Sequence, residues 1–157
     1  MKRHLSTAVM VILTVAVSAG LAVAMGASAK MPDIRIDDVK AYLHPMMSNT
    51  ASVFMKITNS GKGADNLIGA SVDMPSAVVE LHDVKDGKMA AIEKISIPAD
   101  EIVELKPKSL HIMIFKMPKG TKAGTEFTLK LRLERTGEKI LKVKLTEPMP
   151  DMPMHKH

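Results

Sequence analysis

From Ile34 onward the chain alternates short apolar runs with turn residues, and no stretch sustains the period of an amphipathic helix. The alternation is cleanest late in the sequence, where Phe127, Leu129, Leu131 and Leu133 share one parity and Lys130, Arg132 and Glu134 the other. Side chains of a strand point alternately to opposite faces, so this segment buries the first set and wets the second, as a half-covered antiparallel strand does. The same reading predicts nine strands, at 36–43, 51–59, 66–72, 77–84, 88–95, 102–105, 110–115, 125–135 and 139–146. Asp86-Gly87 and Thr136-Gly137 are hairpin turns by composition, and Asn59-Ser60-Gly61-Lys62-Gly63 and Pro118-Lys119-Gly120 mark further surface turns. Short strands on this spacing predict an all-β, two-sheet sandwich.

The first 29 residues depart from that pattern. Lys2 and Arg3 open a largely apolar stretch from Leu5 to Met25, and Ala27-Ser28-Ala29 fits a small-residue cleavage site. These are the parts of a secretory signal peptide, with an uncleaved membrane anchor as the competing reading. Either way the remainder is expected outside the cytoplasm, in the periplasm or another extracytoplasmic space. The expected organisation is a signal over 1–29, one β-sandwich domain over 30–147 and a Met/His-rich tail over 148–157. Past the signal, 20 basic residues face 17 acidic ones, a modest surplus spread along the chain. With Tyr42, Phe54, Phe115 and Phe127 the only aromatics, neither a phosphate-binding patch nor a base-stacking platform is in view, and nucleic acid is not an expected partner.

Cysteine is absent and methionine abundant, with 14 in the chain and 11 beyond the signal. Without a thiol there is no disulfide scaffold, no thiolate zinc site and no blue-copper centre. Thioethers in an oxidising compartment risk sulfoxide formation, so their number calls for a chemical reason. His82, Met89, His111 and Met113 suggest one: imidazole with thioether is a soft, uncharged donor set that suits Cu(I) better than hard cations. His111-Ile112-Met113 lies in an apolar strand, which places both donors on one face with Cα atoms about 6.8 Å apart. His82 and Met89 flank the Asp86-Gly87 turn, so a hairpin brings them near each other.

The spacing is His82, six residues, Met89, twenty-one residues, His111, one residue, Met113. Around it stand Ala64-Asp65-Asn66-Leu67-Ile68-Gly69, Val79-Glu80-Leu81-His82, Ile97-Pro98-Ala99 and Leu110-His111-Ile112-Met113. Over residues 35–146 the chain resembles the periplasmic copper chaperones of the PCuAC (DUF461) family. That family's pattern is His, ten residues, Met, then the same two later intervals, so the hairpin carrying Met89 is shorter here. The resemblance implies a Greek-key, cupredoxin-like or immunoglobulin-like β-sandwich that binds Cu(I) through two His and two Met. It also implies delivery to a copper-acceptor protein, a cytochrome c oxidase subunit or its assembly factor.

Other donors are less specific. Met149, Met152, Met154, His155 and His157 of the proline-spaced tail could capture copper or be an ordinary solvated terminus, and His44-Pro45-Met46-Met47 could supply an alternate ligand or merely pack. Asp65, Asp73, Asp83 and Asp86 pair with no recognisable nucleophile, and phosphate-binding loops are missing, so no enzyme is expected. The rival readings are a copper storage or resistance protein, a non-metal immunoglobulin-like binding module and, third, a copper redox enzyme.

Overall fold

The computed structural model describes residues 30–149, so the predicted signal and nearly all of the predicted tail lie outside the described residues. Ten strands form: β1 (Ile34–Leu43), β2 (Ala51–Asn59), β3 (Asp65–Val72), β4 (Val78–Lys85), β5 (Lys88–Ile92), β6 (Ile95–Ile97), β7 (Glu101–Leu105), β8 (His111–Phe115), β9 (Glu126–Leu133) and β10 (Gly137–Thr146). No helix occurs among the described residues.

The strands make a two-sheet, Greek-key sandwich that is nearly closed. One sheet runs β5-β4-β8-β2-β1, with β7 continuing along the edge of β2 that β8 leaves free; the other runs β10-β9-β3-β6. The parallel pairing of β1 with β10 joins them, with Ala41 opposite Leu145. Asp38, at φ 53°, marks a bulge where the β1–β2 register shifts between Asp37 and Lys40. Between the sheets lies an aliphatic core that includes Val53, Ile57, Leu67, Leu81, Ile97, Ile112, Ile114, Leu129, Leu131 and Leu145. The β9 alternation is realised as expected, with Phe127, Leu129, Leu131 and Leu133 buried.

One predicted strand is corrected. The run 88–95 does not form a single strand: β5 pairs with β4 in the first sheet, and β6 pairs with β3 in the second. Ile92 lies opposite Leu81 and Ile95 opposite Leu67, so these two isoleucines, three positions apart, serve different sheets. A spacing of three cannot keep two side chains on one face of a strand, and the chain crosses over at Glu93-Lys94.

Gly61 and Gly63 show why the turn after β2 lacks side chains. A Cβ on Gly61 would lie 2.4 Å from the backbone of Met31 and Asp33, and one on Gly63 would lie 2.1 Å from the Lys30 carbonyl. The N-terminal segment thus packs backbone to backbone against this turn. Asn59 ties the arrangement together: its Oδ1 accepts from the amides of Asp33 and Gly61, while its Nδ2 donates to the carbonyls of Gly63 and Pro98.

Candidate metal centre

The β4–β5 hairpin forms on a two-residue turn, with Asp86 and Gly87 both at positive φ and Lys85 opposite Lys88. Tight hairpins favour this geometry because its twist matches that of the strands. On the other side of β4, β8 pairs so that His82 lies directly opposite His111 and Glu80 opposite Met113. Directly paired residues of an antiparallel ladder share a face, and so do residues two apart on one strand. His82, His111 and Met113 therefore stand together on the outer face of the sheet. Met89 belongs to that face too, because its partner Val84 is two positions from His82. It sits diagonally from His82 across the hairpin, a separation of about 7–8 Å that a long, flexible thioether can span.

Burial separates the four. His82 is 8% exposed, His111 5% and Met113 0%, whereas Met89, near the turn of an edge strand, is half-buried. The imidazole centroids are 5.7 Å apart. Aromatic rings extend the row at both ends, with Phe115 5.8 Å from His82 and Phe54 6.2 Å from His111. Tyr42 follows Phe54 at 6.0 Å, so three of the four aromatic residues in the chain gather on this face. Sequence parity also groups Met117 with these residues, but Lys116 adopts φ 54°, which breaks the alternation and sends Met117 into the main core.

The hydrogen bonds decide which nitrogen of each ring can act as a donor to a metal. The His111 Nδ1–H donates to the Ser109 carbonyl at 2.7 Å, which leaves Nε2 of the neutral ring with the lone pair. Glu80 Oε2 lies 2.9 Å from His82 Nε2, and since a carboxylate only accepts, Nε2 carries the proton. In the neutral ring the lone pair of His82 then falls on Nδ1, which is buried with no hydrogen-bond partner. Met113 is held as well: the Ser52 hydroxyl donates to its sulfur at 3.1 Å. Burial holds the His111 imidazole below the ordinary histidine range, and His82 and His44 push the same way, against the Ser109 hydrogen bond and Asp83.

Sequence reasoning missed Glu80, Ser52 and the Ser109 carbonyl. Glu80 was detectable, since a carboxylate two positions before a strand histidine must share its face. The other two depend on the register of β8 against β2 and on the loop entering β8. Among the described residues no three His, Asp or Glu side chains gather as a cation site. His44 of the β1–β2 loop accepts the amides of Met46 and Met47 on its Nδ1, which gives that ring a part in shaping the loop. Met46 and Met47 are exposed.

Fold and site together define an all-β sandwich that carries a buried histidine pair and soft sulfur donors on the outer face of one sheet. The chain belongs to the LpqE-like family, described as "Putative lipoprotein LpqE-like", whose model matches residues 34–145. No curated protein matches the chain. Among solved structures it is similar to the copper-bound PCuAC domain from PmoF2, with a TM-score of 0.60 at 23% identity over 73% of this chain and 93% of that one. It is also similar to the Cu(I) form of DR1885 from Deinococcus radiodurans, with a TM-score of 0.56 at 18% identity over 81% of this chain and 85% of that one. These likenesses concern the fold. A thioether-linked lipid requires cysteine, and these 157 residues contain none.

Proposed function

We propose that this protein is an extracytoplasmic copper chaperone, exported by its first 29 residues, that carries Cu(I) on His82, His111, Met113 and Met89. The observation that carries the reading is the hydrogen-bonding state of the two rings. Each has one nitrogen committed to an acceptor and the other holding a lone pair, and the two rings lie side by side against a buried thioether. Metal-bound histidines have this arrangement, because the outer hydrogen bond sets both the tautomer and the ring orientation. The chemistry of the donors and the aromatic flanks favours a soft monovalent ion over a strongly hydrated cation. The fold likeness to a copper-bound PCuAC domain and to a Cu(I) protein supports the same cargo.

Copper is cargo here, and release proceeds by ligand exchange. His82, His111 and Met113 are each held by a hydrogen bond, while Met89 sits on an edge hairpin and is the donor an incoming acceptor displaces first. The acceptor is a copper-receiving protein, with cytochrome c oxidase copper-centre assembly the recipient that the PCuAC resemblance implies.

Cu(I) titration against a competing chelator tests the assignment in wild type, His111→Ala and Met113→Leu. Leucine conserves the volume of a buried methionine and costs less than about 1.5 kcal/mol, so it removes sulfur while sparing the fold. Each variant is expected to bind at least about tenfold more weakly, a change of about 1.4 kcal/mol. Equal affinity across the three proteins would remove the site assignment.

A further inference from the structure

Resting on the copper reading above, we propose that Glu80 is a positioning residue which locks His82 in its Nε2–H form, so that His82 offers Nδ1 to the metal while His111 offers Nε2. Three observations meet here. Glu80 Oε2 is 2.9 Å from His82 Nε2, and the partner is a group that can only accept. The other nitrogen of the same ring is buried and lacks a hydrogen-bond partner, an arrangement that carries a free-energy cost unless the lone pair serves a purpose. On His111 the roles are reversed, because there Nδ1 is the committed nitrogen. The two rings thus approach a shared ion through different atoms.

Charge gives Glu80 a second effect. Two imidazoles and two thioethers are neutral, so a bound Cu(I) would place an uncompensated positive charge among buried rings. Glu80 stands opposite Met113 on the same face and supplies one negative charge beside the site. Its side chain is 44% exposed, at the rim of an open groove that Lys130 and Arg132 also line. Substitution there leaves no buried void, so the variants are expected to fold. Glu80 also differs from the acidic residues elsewhere on the surface: Asp100, Glu104 and Glu138 pair with lysines, whereas Glu80 pairs with a candidate ligand.

The test uses the mature protein with and without Cu(I). Two-bond nitrogen–proton couplings of the imidazoles report the tautomer in the copper-free state, and chelator competition reports affinity. Wild type should show His82 as Nε2–H and His111 as Nδ1–H. Glu80→Ala should give a mixed tautomer at His82, leave His111 unchanged, and weaken Cu(I) binding about 10–100-fold, the usual effect of removing an outer partner of a metal-bound histidine. Glu80→Gln keeps an acceptor oxygen without the charge, so it should retain the tautomer and lose only part of the affinity. If wild type binds Cu(I) and Glu80→Ala either matches its affinity within twofold or leaves the His82 tautomer unaffected, the role of Glu80 is overturned and the copper reading stands. If the tautomer responds but wild type takes up no Cu(I), the copper reading falls and with it the purpose given to Glu80.

Discussion

The two ends of β2 use buried polar side chains, Asn59 and Asp65 at one end and His82 and His111 at the other, in different ways. At one end Asn59, 1% exposed, spends its whole amide on backbone groups, and nearby Asp65, also 1% exposed, accepts from the amides of Asn66, Arg135 and Thr136 and from the Thr136 hydroxyl. At the other end Ser52 holds Met113 and Phe54 lies beside His111, which is paired with His82; burial there is comparable, but Nδ1 of His82 has no hydrogen-bond partner. A buried polar atom without a hydrogen bond costs about 1–3 kcal/mol; the Thr58 hydroxyl bears this cost beside Asn59, as Nδ1 of His82 does at the histidine end. The Asn59 and Asp65 end is arranged for stability, binding β1, the turn after β2 and the β9–β10 turn. The histidine end carries an unpartnered ring nitrogen, which on the copper reading proposed above is a lone pair kept available for the metal.

The sharpest way to break this contrast is His82→Leu. It removes an unpartnered nitrogen together with one hydrogen bond to the partly exposed Glu80, a carboxylate that water can solvate instead, so the copper-free protein should keep its unfolding free energy to within about 1 kcal/mol. If the proposed site holds Cu(I), wild type should gain about 4 kcal/mol when free ligand is a thousandfold above Kd, and His82→Leu should lose that gain. Thermal unfolding with and without Cu(I) measures both, and a large loss in the copper-free state would show that His82 is structural.

Next in size is Asp65→Ala, which strands three amides and a hydroxyl at the β3 to β9–β10 junction. A loss of about 3 kcal/mol is expected in denaturant unfolding, with Cu(I) affinity unchanged. A loss below about 1 kcal/mol would erase the distinction between the two ends.

The smallest effect is in pH, and it too divides the ends. Desolvation raises the Asp65 carboxyl, but the hydrogen bonds from Thr136, Arg135 and Asn66 outweigh it and hold the group below the ordinary aspartate range. The unfolded chain therefore binds this proton first as pH falls. Stability from Asp65 is complete above about pH 4 and drains away as the pH drops through the lowered folded value. His111 acts higher. Its folded value is lowered too, so below about pH 6.5 the unfolded chain takes up a proton that the folded one refuses, and stability declines until the folded ring also protonates. Asp65→Asn should flatten the acid limb of the stability profile and His111→Phe the limb near neutrality; interchanged effects would contradict the assignment.

Much of the fold is legible in the chain because strand periodicity is a local property. The β9 face, the Asp86-Gly87 hairpin and the shared face of His111 and Met113 all follow from residues within a few positions of one another. The break inside 88–95 was legible as well, in the three-residue spacing of Ile92 and Ile95. Which face of β8 meets the main core was not, since Ile112 and Ile114 are as apolar as the opposite parity and both sides of this strand are buried.

By itself, then, the order of residues determined an all-β chain, the hairpin that presents Met89, and a cysteine-free stock of imidazole and thioether. Only the tertiary structure decided that His82 stands opposite His111, that Glu80 and Ser109 take one nitrogen of each ring, and that Phe115 and Phe54 flank the pair. These depend on register between strands far apart in the chain. Local pattern sets which way a side chain points, but only long-range pairing sets what it meets.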